Sequence, residues 1–279
     1  MIRSGAALVA LLMATPVWAQ SPASPQSQAY YEFLMARRLE AEGDQAAALA
    51  ALERAKKLDP NSAELLAELA GFHARQNRGD AAVAEAERAL SIDPKNIEAH
   101  HVLGLIYSAW ADGGSPPPAG QTPASARQQA IEHLSAIAGS PLMATDPNLQ
   151  MTLGRHQLRA GRAKDAIPVL ERVAAQVPWA GEPLALLAEA RLAIGQVNEA
   201  VEALEAAAEI SPRYAVSLAD VYERQGRWAD AAAAYGRAVQ GVRTPSRDLR
   251  VRWTWALDGT FRMDEEAPES DPRGGAPTR

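Results

Sequence analysis

Four stretches of this chain share one layout: a turn residue, a run rich in alanine, leucine and charge, and a proline seventeen positions after the start. They are GDQAAALAALERAKKLDP (Gly43–Pro60), NRGDAAVAEAERALSIDP (Asn77–Pro94), GRAKDAIPVLERVAAQVP (Gly161–Pro178) and GQVNEAVEALEAAAEISP (Gly195–Pro212). Gly43 and Asn77 stand 34 residues apart, as do Gly161 and Gly195. A fifth copy, GRWADAAAAYGRAV (Gly226–Val239), lacks only the closing proline. A chain with such a period repeats one small supersecondary unit, and each unit buries its apolar face against the next.

Each element of the layout has a physical reason. Gly43, Gly161, Gly195 and Gly226 end one helix where the backbone turns left-handed, and Asn77 is the next-best residue for that conformation. Five residues on comes Ala48, Ala82, Ala166, Ala200 or Ala231, small enough for two antiparallel helices to approach closely. Apolar residues four and seven further on, such as Leu52 and Ala55, complete one helical face. Pro60, Pro94, Pro178 and Pro212 stop the second helix. A first helix precedes each turn, marked by Leu69-Ala70, Leu103-Gly104, Leu153-Gly154, Leu187-Ala188 and Leu218-Ala219. Low aromatic content (5%) and scarce β-branched runs agree with an all-helical chain.

With Leu-Gly/Ala at positions 7 and 8, alanine at 20 and 27 and proline at 32, the pattern resembles the tetratricopeptide repeat (TPR) family. The resemblance covers residues 29–240 and implies an all-α, right-handed superhelical solenoid. About six units are expected, near 29–62, 63–96, 97–146, 147–180, 181–211 and 212–242. The first departs from the pattern with Glu32 and Leu39 at positions 4 and 11, and the last has a first helix about one turn short. In the third unit, ADGGSPPPAGQTPAS (Ala111–Ser125) enlarges the turn between a helix holding Tyr107 and one holding Ala130. That places the Pro/Gly run inside one repeat, not between two domains.

The ends read differently. MIRSGAALVALLMATPVWAQ has a basic residue, a short apolar core and small residues before Gln20, a signal peptide expected to be cleaved after Ala19. The mature chain is then periplasmic or secreted, with residues 20–28 a flexible leader and no later transmembrane segment. Ser246–Leu257 reads as a capping helix, with Leu249, Trp253 and Leu257 on one face and Trp255 beside Val251 on another. Residues 258–279, acidic and rich in Gly and Pro, read as a disordered tail.

Chemistry is sparse. There is no cysteine, so no disulfide, thiolate or Cys-ligated metal. Of five histidines, none makes an i, i+4 pair with a carboxylate partner. No nucleophile elbow or phosphate loop occurs. No catalytic residue, metal or cofactor is expected. A net charge of −6 without a basic cluster argues against nucleic acid. Most carboxylates read as solvated helix faces with i, i+4 partners, such as Glu53 with Lys57.

Recognition remains. In TPR proteins the first helices line a concave groove that holds a protein or peptide segment, with positions 2, 5, 9, 12 and 13 facing it. The resemblance implies a groove of Tyr30, Phe33, Arg37, Arg75, His101, Leu105, Met151, Arg155, Arg159, Glu189 and Asp220, basic in the first four units and acidic in the last two. The Asn residues with which chaperone-tail binders of the family clamp a carboxylate have no counterpart here, where Arg37 and Gly71 stand. The expected function is a protein- or peptide-binding scaffold in an envelope assembly or export pathway. The alternative is a structural module self-associating through the C-terminal helix at Trp255.

Overall fold

A computed structural model describes residues 24–266, with side-chain surroundings to residue 259. Among these residues fourteen α-helices follow one another and no strand occurs. They form six hairpins: α1 (Pro25–Ala41) with α2 (Gln45–Leu58), α3 (Ala63–Arg75) with α4 (Gly79–Ile92), and α5 (Ile97–Ala111) with α6 (Pro123–Ala136). After the five-residue α7 (Pro141–Thr145) come α8 (Pro147–Arg159) with α9 (Ala163–Gln176), and α10 (Gly181–Ala193) with α11 (Val197–Ile210). A 3₁₀ turn (Pro212–Tyr214) leads to α12 (Ala215–Arg224) with α13 (Trp228–Gln240), and α14 (Arg247–Glu266) closes the series.

The punctuation of the sequence acts as its residue types require. Gly43, Gly161, Gly195 and Gly226 have φ between 71° and 86°, and Asn77 has φ 56°. Helices α2, α4, α9 and α11 each stop two residues before their proline. Side-chain oxygens of Asp44, Ser62, Asn96 and Asp146 accept backbone N–H groups that open the following helices. Helix α12 has ten residues where α3, α8 and α10 have thirteen, the shortening expected of the last unit.

The core runs along the hairpin crossings. Ala48, Ala82, Ala130, Ala166, Ala200 and Ala231 are fully buried. Opposite them, Gly104 and Gly154 leave room for a leucine of the paired helix. A Cβ on Gly104 would lie 2.5 Å from Leu134 Cδ2, and one on Gly154 2.8 Å from Leu170 Cδ2. Each buried leucine contributes roughly 1.5–3 kcal/mol, and that burial requires the missing methyl. Each new first helix then rests on the preceding unit, α5 on both α3 and α4. At the third-to-fourth junction α8 rests mainly on α6, with α7 tucked beside it.

Three expectations change. Helix α1 begins at Pro25, capped by Ser24, so the second half of the supposed leader is helical. The C-terminal helix runs to Glu266, nine residues past the expected end and into the supposed tail. Asp112–Thr122 alone is non-helical in the insertion, because Thr122 and Ser125 form a capping box that starts α6 at Pro123. The signal peptide, its cleavage after Ala19, residues 20–23 and residues 267–279 lie outside the described residues. Glu53 and Lys57 do not pair. Neighbouring basic residues bridge helices instead, Arg54 to Glu32 at 2.8 Å and Lys56 to Glu85 at 2.5 Å.

Gly104→Ala should lower stability by about 1–3 kcal/mol through overpacking. In urea denaturation its effect should be smaller when Leu134 is already alanine, because the clashing atoms are then gone.

Candidate functional site

Three hollows run across the face formed by α1, α3 and α5. The first, about 420 Å³, lies between Phe33, Ala67 and Ile97. The second, about 490 Å³, is ionic, lined by Arg37, Glu40, Glu68, Arg75 and Glu98. The third, about 800 Å³, is mainly apolar, with Leu105, Ile106, Ala109 and Trp110 on one side and Ser115 and Pro116 on the other. Glu68 and Glu98 border the first two hollows, and Arg75 borders the second and third. The site is therefore continuous, with an ionic centre between apolar ends.

The centre is built by a gap. Gly71 stands at position 9 of the second unit, and a Cβ there would meet Arg75 Nη1 at 3.2 Å. The Arg75 guanidinium lies across that space and donates two hydrogen bonds to Glu40, Nε–Oε1 at 2.8 Å and Nη2–Oε2 at 3.1 Å. It also approaches Glu68 at 3.5 Å. Arg37 reaches Glu68 at 3.7 Å and lies over the Phe33 ring. Glu98 sits 3.6 Å from His101 Nδ1. The His101 imidazole, then Arg75 and Arg37, hold the Glu98 carboxyl below its ordinary value. Three carboxylates thus meet two arginines, so this part of the groove is balanced to slightly acidic, where the sequence suggested a basic surface.

The apolar end is set by an aromatic column and by the insertion. His133 stacks on Tyr107, whose ring meets Trp110 edge-on with centroids 5.3 Å apart. Trp110 covers the bare backbone of Gly79, where a Cβ would lie 3.2 Å from the indole. Ser115 and Pro116 wall the hollow from above, and Leu105, 44% exposed, forms its floor.

The other expected groove residues divide. Tyr30 is exposed beside Phe33. Met151 packs into the core against neighbours such as Leu170 and Leu187. Arg155 is paired with Glu182 at 2.7 Å and Arg159 with Asp112 at 2.6 Å, so both arginines hold parts of the fold together. Glu189 is exposed on α10. Asp220 belongs to a structural cluster: Tyr235 Oη donates to it at 2.7 Å and Arg252 Nη2 at 2.5 Å. Burial first, then that hydrogen bond, raises the Tyr235 phenol above its ordinary range.

Arg252 also fixes the register of α14. In the third unit Val102, at position 6, lies against position 9 of the unit before, Gly71. Arg252 meets Asp220, likewise a position 9. Helix α14 therefore stands as the first helix of a seventh unit, and Trp255, 69% exposed, falls in the groove row with Arg37 and Leu105. It is not at the end face, where self-association was expected. Glu40 and Glu98 were missed although positions 12 and 2 of the same register place them on this face. Ser115 and Pro116 gave no such signal, because a loop outside the repeat carries them, and Trp110, on α5, stands at position 14, outside the groove positions.

The histidines form no metal cluster among the described residues. His100 and His133, 33 residues apart, come together with Nδ1 atoms 3.0 Å apart. His100 Nε2 lies 3.1 Å from the Pro94 carbonyl, which only accepts, so His100 Nδ1 accepts from His133 in the neutral pair. Burial, and then His100, push the His133 pKa down. His73 and His156 are also lowered, chiefly by burial. His156 is fully buried, and neither ring nitrogen has a hydrogen-bond partner among the described residues.

The sequence pattern of the tetratricopeptide repeat matches residues 39–106 and 157–216, and a second pattern of that family matches 215–249. No curated protein sequence matches the chain. Among solved structures, YrrB, described as a TPR protein with an unusual peptide-binding site, is 15% identical with a TM-score of 0.56, covering 75% of this chain and 97% of YrrB. MamA AMB-1 is 21% identical with a TM-score of 0.51, covering 66% of this chain and 98% of MamA. At these identities the likeness concerns the fold alone.

The buried histidines set a pH dependence. Their folded pKa values lie below 6.5, so the unfolded chain binds more protons as pH falls beneath that value. Their contribution is complete above 6.5 and is lost as pH falls through the lowered values. Urea midpoints should drop between about pH 7.5 and pH 5. His156→Leu should flatten that drop while leaving the midpoint at neutral pH near the parent's, since no ring hydrogen bond is lost.

Proposed function

The chain belongs to the tetratricopeptide repeat family, and on that premise we propose that it is a non-catalytic scaffold holding a protein or peptide segment on the face of α1, α3 and α5. The observation that carries this reading is the continuity of the three hollows through Glu68, Glu98 and Arg75. An extended segment of about six residues spans about 20 Å, long enough to reach from one apolar end toward the other across the ionic centre. Exposed apolar side chains at Tyr30 and Leu105 supply desolvation energy, and the charged centre supplies orientation. The peptide-binding site described for YrrB supports the reading by analogy of fold.

The scaffold works in the cell envelope, in an assembly or export pathway. The support for this is the N-terminal sequence, with Arg3, an apolar stretch and Val17-Trp18-Ala19 before Gln20. In the producing cell, the mature protein should fractionate outside the cytoplasm with Gln20 at its N-terminus. A protein that keeps Met1 and stays cytoplasmic removes this part of the reading.

The test of binding is capture of partners from an envelope fraction, read by mass spectrometry. Leu105→Glu should reduce capture by on the order of tenfold, since it buries a charge at an apolar contact. Replacing residues 113–121 with a short glycine-containing turn should weaken capture too, with helical circular dichroism retained. Equal capture by both variants would overturn the assignment of this face.

A further inference from the structure

The carboxylates at the ionic centre of the groove are unequally engaged. Arg75 donates to both oxygens of Glu40, at 2.8 and 3.1 Å. Glu68 meets Arg75 only at 3.5 Å and Arg37 at 3.7 Å, and Glu98 meets His101 at 3.6 Å. A charge-assisted hydrogen bond runs at about 2.7–2.9 Å, so Glu68 and Glu98 keep acceptor positions open for a donor. Both border the first and the second hollow. The space above Gly71 leads to them, since a Cβ there would lie 3.6 Å from Glu98 Oε1. Around the first hollow Glu64 and Asp93 add further carboxylates and Lys95 a single cation, so negative charge exceeds positive along this stretch.

Resting on the groove reading above, we infer that the segment held there is cationic and apolar, with a lysine or arginine side chain at Glu68 and Glu98 and a bulky apolar side chain in the hollow of Leu105 and Trp110. Charge selects the first feature. An incoming carboxylate would have to take Arg75 from Glu40 while facing Glu68 and Glu98. An ammonium or guanidinium instead supplies the donors that these two carboxylates lack. Glu98 stays ionised to receive it, because His101, then Arg75 and Arg37, hold its carboxyl low. Apolar contact selects the second feature, since Ile106, Ala109, Trp110 and Pro116 surround the third hollow and Leu105 is exposed in it. The spacing follows from α5. Glu98 and Leu105 lie on that helix at groove positions 2 and 9, a separation of about 10 Å along its axis. Three residues of an extended polyproline II segment advance about 9 Å and return the side chain to the same face. The segment recognised therefore carries a basic and a large apolar residue three positions apart.

The test is fluorescence anisotropy of short labelled peptides with the full chain. Each peptide is blocked at both ends and carries tryptophan three positions from lysine, glutamine or glutamate, in both orders along its sequence. In one order the lysine peptide should bind on the order of tenfold more tightly than the glutamate peptide, with the glutamine peptide between them. Added salt should shrink that difference. Combining Glu68→Gln with Glu98→Gln should abolish the preference and leave the glutamine peptide bound within about twofold of the parent. Leu105→Ser should weaken all three peptides alike, with helical circular dichroism retained in every variant. A glutamate peptide that binds as tightly as the lysine peptide overturns the proposal. So does a lysine preference that survives the double variant, or a lysine peptide that fails to bind in either order. Capture from the envelope fraction separates such a failure from failure of the groove. If Leu105→Glu still reduces capture, only the cationic partner is removed, and if it does not, the groove assignment goes as well.

Discussion

The whole solenoid depends on how near two helices can come where each hairpin crosses. Side chains no larger than a methyl sit on one or both sides of that crossing: Ala48, Ala82, Ala166, Ala200 and Ala231 in the second helices, and Ala70, Gly104, Gly154, Ala188 and Ala219 in the first. Close approach turns the leucines beside the crossing inward, and the first helices are left free to align along one face. Alignment of α3 with α5 brings Glu98 and Val102 beside Gly71 and Arg75, which frames the ionic centre of the groove. Function on the A-helix face is in this sense an outcome of packing on the opposite side of the same helices.

What could be read from the sequence was whatever repeats. Asn77 adopts the left-handed turn because the four glycines at equivalent positions define what that position needs. The enlarged turn of the third unit was legible for the same reason, as a departure from a known interval. What could not be read was which side chains pair across neighbouring helices, even one repeat apart. The salt bridge of Arg75 with Glu40 spans 35 residues, that of Arg159 with Asp112 spans 47, and the His100–His133 contact spans 33. The register of the family placed arginines on the groove, and their residue type predicted a basic surface. Their partners are set by geometry between helices, and those partners neutralise them. The C-terminal helix was cut short at Leu257 because polar residues follow it, although polar residues are no barrier to continuation of a helix.

The insertion changes the character of the third unit. It retains a hairpin of ordinary packing, and Ser115 and Pro116 add a wall that no standard turn could supply. The aromatic column from His133 through Tyr107 to Trp110 gives that wall a rigid counterpart. A loop facing a fixed aromatic surface can vary in sequence without disturbing the repeats, so specificity can change there while the scaffold is conserved.

The third-to-fourth junction has a mechanical consequence. There α8 rests mainly on α6, α7 sits beside it, and the Arg159–Asp112 salt bridge joins α8 to the end of α5. Cooperativity in a stacked array is carried by its interfaces, so the weakest interface is where the array divides. At this seam side-chain bonds reach past α7, Arg159 to Asp112 and Arg162 to Gln128, so the coupling of the two halves is carried by polar contacts as well as by packing.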